Sequence, residues 1–168
     1  MLIDCSYFTK SPRYIQNAAS GVMPNTNSVA VNRDIENYIA EYQEEFLVSM
    51  LGECLGNKVH CYLVCLDEEG GRPRKPCFED LTSRLQESFA DYVFFQILGH
   101  SNTMATTSGL VRVKNANTDV APIGRQVLVW NEMVKRNKRF AQWCESDECP
   151  YHVEMQADML TPVNTLNL

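Results

Sequence analysis

The residues closest to forming a chemical motif are Cys144, Cys149 and His152, in a Cys-x4-Cys-x2-His arrangement. Thiolate and imidazole are zinc ligands, but a structural zinc takes four, usually with tighter cysteine pairs, and this stretch supplies three. Cys149 and His152 could also be drawn as nucleophile and base, yet no orienting third group and no oxyanion site accompany them. Cys54, Cys61 and Cys65 fall seven and four residues apart, the spacing of one helix face, which predicts burial as small apolar side chains. The seven cysteines include Cys5 and Cys77, and their number is odd. The opening MLIDCSYFTKSPRYI has neither the basic nor the apolar region of an export signal, so free thiols in a reducing cytoplasm are expected. His60 lies within a helical pattern, His100 opens a polar stretch, and the carboxylates Glu44/Glu45 and Asp67-Glu68-Glu69 read as solvated faces. Phosphate-cradling loops, HExxH and GxSxG are all missing. The expectation is a protein with no catalytic residues, no cofactor and no metal.

Four helices have to position whatever this chain does. Asn32 is a candidate N-cap, with Asp34 and Glu36 as first-turn acids. Ile35, Tyr38, Ile39, Tyr42 and Phe46 form a stripe at spacings of three and four. Gly52 interrupts that pattern, predicting a bend, and Leu55, Val59, Tyr62 and Leu66 continue on a second helix. DEEGGRPRKP, residues 67–76, reads as an exposed loop. A third helix is predicted from Phe78 to Leu98, apolar nearly all round from Tyr92 onward, so its end must be surrounded by its own domain or by a partner. Pro122 suits the first turn of a fourth helix. That helix carries Ile123, Val127, Trp130, Val134 and Ala141 inward, and Lys135, Arg136, Lys138 and Arg139 toward its C-terminal end. The architecture is therefore all-α, a bundle of about four helices. An irregular strap covers residues 1–31, the helical domain 32–144, and a peripheral tail 145–168.

Between the last two helices runs GHSNTMATTSGLVRVKNANTDVA, residues 99–121. Connections inside a compact domain are normally a handful of residues, and a polar one this long is functional or disordered. Leu110-Val111-Arg112-Val113-Lys114 alternates apolar and cationic residues, which suits an extended segment lying against something. It is either a two-stranded flap on its own body or an arm that pairs with another subunit, and the second reading is the stronger. Candidate subunit-interface residues are Phe94, Phe95 and Leu98 at the greasy helix end, with Leu110, Val111, Arg112, Val113 and Lys114 on the arm.

Composition narrows the class further. Of 168 residues, 45% are hydrophobic and 21% charged, within the globular range and enough for one domain with a core. A net charge of -6 argues against a general nucleic-acid coat but permits a surface past which DNA slides. No uninterrupted apolar run reaches the length needed to cross a bilayer.

The runs YIAEYQEEFLVSMLGECLGNKV and SFADYVFFQILGHSNTMATTSGLVRVKNANTDVAPIGRQVLVWNEMV resemble the head–tail connector (adaptor) proteins of tailed bacteriophages and prophages. The matching features are the Leu51-Gly52 turn and the aromatic Tyr92, Phe94 and Phe95. Further on they are Thr106-Thr107 leading to Gly109-x-Val111, Lys114 with Asn117, and Trp130-Asn131-x-Met133. The likeness spans residues 35–137, and Glu53-Cys54-Leu55-Gly56 departs from it just after the turn. It implies a non-enzymatic, all-helical virion protein that forms a ring with itself, typically a dodecamer, under the portal protein. It also implies a stopper or tail protein as partner, DNA passing through the channel without sequence-specific binding, and no membrane. Location would be the virion neck, and the host cytoplasm during assembly. The competing class is a helical regulator or adaptor that binds a partner protein, with zinc at Cys144, Cys149 and His152.

Overall fold

The computed structural model describes residues 1–18, 26–67, 75–101, 103–106, 109–112 and 122–164. Four helices dominate: α1 (Thr26–Leu51), α2 (Glu53–Asp67), α3 (Pro76–Ser101) and α4 (Pro122–Cys144). Between α3 and α4 lie two short strands, β1 (Thr103–Thr106) and β2 (Gly109–Arg112). Among the described residues the chain is an all-α bundle of four helices carrying one hairpin.

α1 and α2 form an antiparallel pair with a single residue between them. Gly52 makes that possible: its φ of +80° is a left-handed conformation that ends α1, where its N–H still reaches the Val48 carbonyl. One turn into α2, Gly56 rests on the backbone of α1. A Cβ there would lie 2.7 Å from the Leu47 carbonyl oxygen and the Val48 Cα. The predicted bend at Gly52 is thus a complete reversal, and Gly56 sets how closely the two helices approach.

α3 is the central element, and it packs α1 and α4 on different faces. Toward α1, Phe89 and Tyr92 meet Phe46 with ring centroids 5.0 and 5.5 Å apart, and the Tyr92 hydroxyl donates to Glu45 at 2.9 Å. Toward α4, Ser88 donates to Asn137, Asp91 accepts from Arg136 at 2.7 Å, and Phe95 stacks against Trp130 at 5.0 Å. Residue numbers fall along α3 as they rise along α4, so this pair is also antiparallel.

Both terminal segments belong to the core rather than to its periphery. Leu2, Ile3, Cys5 and Phe8 are buried in the same apolar cluster as the helices, and so is Met159 from the tail. Polar bonds fix them. Leu2 N–H donates to Gln43 at 2.6 Å, Gln156 N–H to the Ser49 carbonyl at 2.9 Å, and buried Asn137 donates to the Met159 carbonyl at 2.7 Å. Asp91, with 4% of its side chain exposed, holds Arg13 from the strap and Arg136 from α4, each at 2.7 Å. These irregular segments dock residue by residue, so they have no periodicity for a sequence pattern to reveal.

Several expectations are corrected. Asn32 is no cap, because α1 begins at Thr26, six residues before it. α3 runs on to Ser101, so the connection starts after that residue rather than at Gly99. Cys54 and Cys61 are exposed and Cys65 is only half-buried, because α2 turns Val59, Tyr62 and Leu63 inward instead. The cationic run on α4 stops at Arg139, more than a turn short of the helix end at Cys144, so the last turn carries no basic residue. The expected turn residues at 19–25 and most of the 67–76 loop lie outside the described residues.

Candidate assembly surface

The two strands of the hairpin pair antiparallel, with Thr103 opposite Arg112, Met104 opposite Val111, Ala105 opposite Leu110 and Thr106 opposite Gly109. Leu110, Val111 and Arg112 therefore lie in β2 and pair within their own chain, while Val113 and Lys114 lie outside the described residues. The sheet has two strands among the described residues, so each strand keeps one edge open. Beyond its own pairing, the hairpin's main contact is with the end of α3, from which it springs. A lone two-stranded hairpin is marginal in water and is stabilised by a further strand or by packing on another surface.

The helix ends beneath the hairpin already meet. Gln126, in the first turns of α4, donates to the Phe95 carbonyl at 3.5 Å, and a Cβ on Gly99 would stand 3.0 Å from the Gln126 amide nitrogen. The Arg125 guanidinium caps the Phe94 ring at 4.9 Å and donates to the Pro12 carbonyl at 3.2 Å. Antiparallel helices whose ends lie side by side need a connection of roughly two to eight residues. Twenty separate Ser101 from Pro122. The surplus length serves the hairpin and not the packing of α3 on α4.

The greasy end of α3 divides between interior and surface. Phe94 is 1% exposed, covered within its own chain, so it presents no area to a partner and its assignment to a subunit interface is corrected. Phe95 and Leu98 are half-buried and remain at the rim of the α3–α4 seam. His100 lies on the side of α3 that faces α1, sharing a 3.0 Å hydrogen bond with the Tyr38 hydroxyl. Tyr92, deeper in, has its phenol pushed up, first by burial and then by the Glu45 carboxylate that it bonds. It is a fixed donor across the physiological range.

Elsewhere the thiols were the chemical candidates. Cys144 and Cys149 meet where the chain turns after α4, with Cys149 N–H bonded to the Ser146 carbonyl at 3.2 Å. Burial, then the neighbouring Cys149 sulfur, pushes the Cys144 thiol up to about 12, so it stays protonated and weakly nucleophilic. His152 is turned to solvent, 3.7 Å from Glu154. Among the described residues no group of three His, Cys, Asp or Glu side chains is placed to hold a metal. The same region holds an aromatic and thiol contact that sequence spacing could not show: Tyr151 packs on Phe78, and burial followed by a bond with Cys77 lifts its phenol to about 12.

Sequence reasoning also missed the Arg13–Asp91–Arg136 junction, whose members are far apart in the chain. A single signal was available, the one carboxylate in the largely apolar second half of α3. No helix among the described residues is long and apolar enough to cross a membrane. No family model matches the sequence, and no curated protein or solved structure is significantly similar to the chain.

Proposed function

We propose that this chain is a head–tail connector of a tailed bacteriophage, a non-enzymatic subunit that assembles as a ring beneath the portal and lets DNA pass. One observation carries the reading beyond the resemblance of residues 35–137. The connection between α3 and α4 is far longer than the adjacent helix ends require, and it is spent on a hairpin with two open edges. Open edges invite a strand or surface from another chain, and a neighbouring subunit supplies one at every position of a ring. The helical body, with its termini folded into a single core, supplies a rigid platform from which the hairpin reaches. Twelve copies at -6 would carry on the order of -70, which favours letting a polyanion slide over gripping it.

Electron microscopy of the protein mixed with the portal of the same phage tests the proposal. The expected result is a closed ring coaxial with the portal. Tight duplex-DNA binding by the isolated monomer, with no affinity for portal, would overturn it.

A further inference from the structure

Among the four described helices α4 alone is net basic, and α1 is the most acidic. α1 carries five carboxylates against one arginine, a formal -4, and α4 carries five cations against one carboxylate, a formal +4. The two helices pack on different faces of α3, so these opposite charges are displayed on separate sides of the subunit. On α4 the outward stripe is Arg125, Leu128, Glu132, Lys135 and Arg139, at spacings of three and four. On α1 the outward stripe is Ala30, Asp34, Asn37, Glu41 and Glu44, with the same alternation and with Glu45 beside it. Both stripes recur every seven residues, so each stays nearly straight over this length.

We infer that the outward face of α4 docks on the outward face of α1 of a second copy of this chain, head to tail. Charge complementarity names that occupant. A free monomer leaves Lys135, Lys138 and Arg139 of α4 and Asp34, Glu41 and Glu44 of α1 facing solvent, and one copy's basic stripe is matched by the next copy's acidic one. Because the two faces differ, the contact is heterologous, and repeated heterologous contacts close into rings or extend as filaments. Leu128, 66% exposed between Arg125 and Glu132 on the same stripe, adds apolar area where a charged face alone would stay hydrated. The Lys135–Glu132 bond at 2.6 Å is an exposed pair within the stripe and competes little with a neighbour. Arg136 is committed to Asp91, which leaves Lys135, Lys138 and Arg139 to face the partner.

The inference rests on the self-association proposed above, but its test needs no portal. Carbodiimide coupling of concentrated protein joins lysine to carboxylate only where they touch. α1 and α4 are not packed together within the subunit, and mixing isotopically light and heavy chains identifies links between copies. The expected products join Lys135 or Lys138 of one copy to Glu41 or Glu44 of another, with yields falling as salt rises. Reversing one face, with K135E/R139E or D34K/E41K, should weaken self-association on the order of tenfold by sedimentation. Mixing those two variants should restore it, since each then meets its complement. All four substitutions sit on exposed positions, and circular dichroism of each variant verifies that the body is folded. The inference is overturned if inter-copy links are absent or map elsewhere, or if the mixture fails to recover. It is equally overturned if reversal of the α4 stripe acts only by abolishing affinity for duplex DNA. A connector reading that failed instead would show as these links forming without any ring on the portal.

Discussion

α1 and α2 are joined by one residue, and α3 and α4 by twenty, although both pairs are antiparallel and in contact at their joined ends. At the first junction every atom is used. Gly52 takes the left-handed conformation, Gly56 lets the backbones touch, and the tail closes over the turn, so that a Cβ on Gly52 would meet the Glu154 Cβ at 3.2 Å. At the second junction the chain leaves the packed helix ends, pairs four residues with four, and returns. One connection exists for the interior of the subunit. The other leaves the packed helix ends and forms the hairpin instead.

That contrast can be broken or sharpened by substitution. Gly56→Ala should have the largest effect, because its new methyl collides with backbone that cannot rotate away; a loss of about 3 kcal/mol in urea unfolding is expected. Gly52→Ala forces a side chain into the left-handed region beside Glu154 and should cost about 1–2 kcal/mol by the same measurement. Replacing residues 102–121 by a five-residue Gly/Ser linker should go the other way. Two halvings of loop length recover about 1 kcal/mol of closure entropy, so the monomer's melting temperature should hold or rise while assembly is lost. A marked fall in stability would mean that the hairpin belongs to the subunit's own core. The smallest effect on the body is expected from Leu110→Pro and Val111→Pro. Neighbouring strand residues direct their N–H groups to opposite edges, so one substitution strikes the internal pairing and the other the open edge. Both should leave the unfolding free energy within about 0.5 kcal/mol of the parent and both should impair ring formation.

The legible part of this molecule was the part with a period. Stripes such as Ile35–Ile39–Phe46 and Leu55–Val59–Tyr62 announce helices because burial of one face imposes a repeat on the sequence. Gly52 was readable as a break because a lone glycine inside such a stripe has few other uses. Pro122 was readable as a start for a similar local reason. What escaped was whatever depends on two distant segments meeting. Leu2, Phe8 and Met159 are ordinary apolar residues in irregular stretches until they fill gaps between helices, and Asp91 resembles a surface acid until Arg13 and Arg136 arrive. The cysteine spacing on α2 misled for a related reason: a face can be regular and still be the outer one. For the candidate surface, the length of the α3–α4 connection was readable, whereas the burial of Phe94 was not. The opposite charges of α1 and α4 could have been counted in the sequence, but their placement on separate sides of α3 could not.

The Arg13–Asp91–Arg136 junction and the Met159 anchor also govern the order in which the molecule can come into being. Synthesis delivers the first three helices well before α4, and the segment ending in Met159 comes later still. Until those residues emerge, Asp91 holds a single cation, Ser88 lacks Asn137, and the aromatic flank of α3 at Phe94 and Phe95 is bare. A nascent chain in that condition exposes the kind of apolar surface that chaperones bind and that aggregates grow from. Completion therefore waits for α4 and the tail, which close over an α3 that Arg13 of the strap already holds.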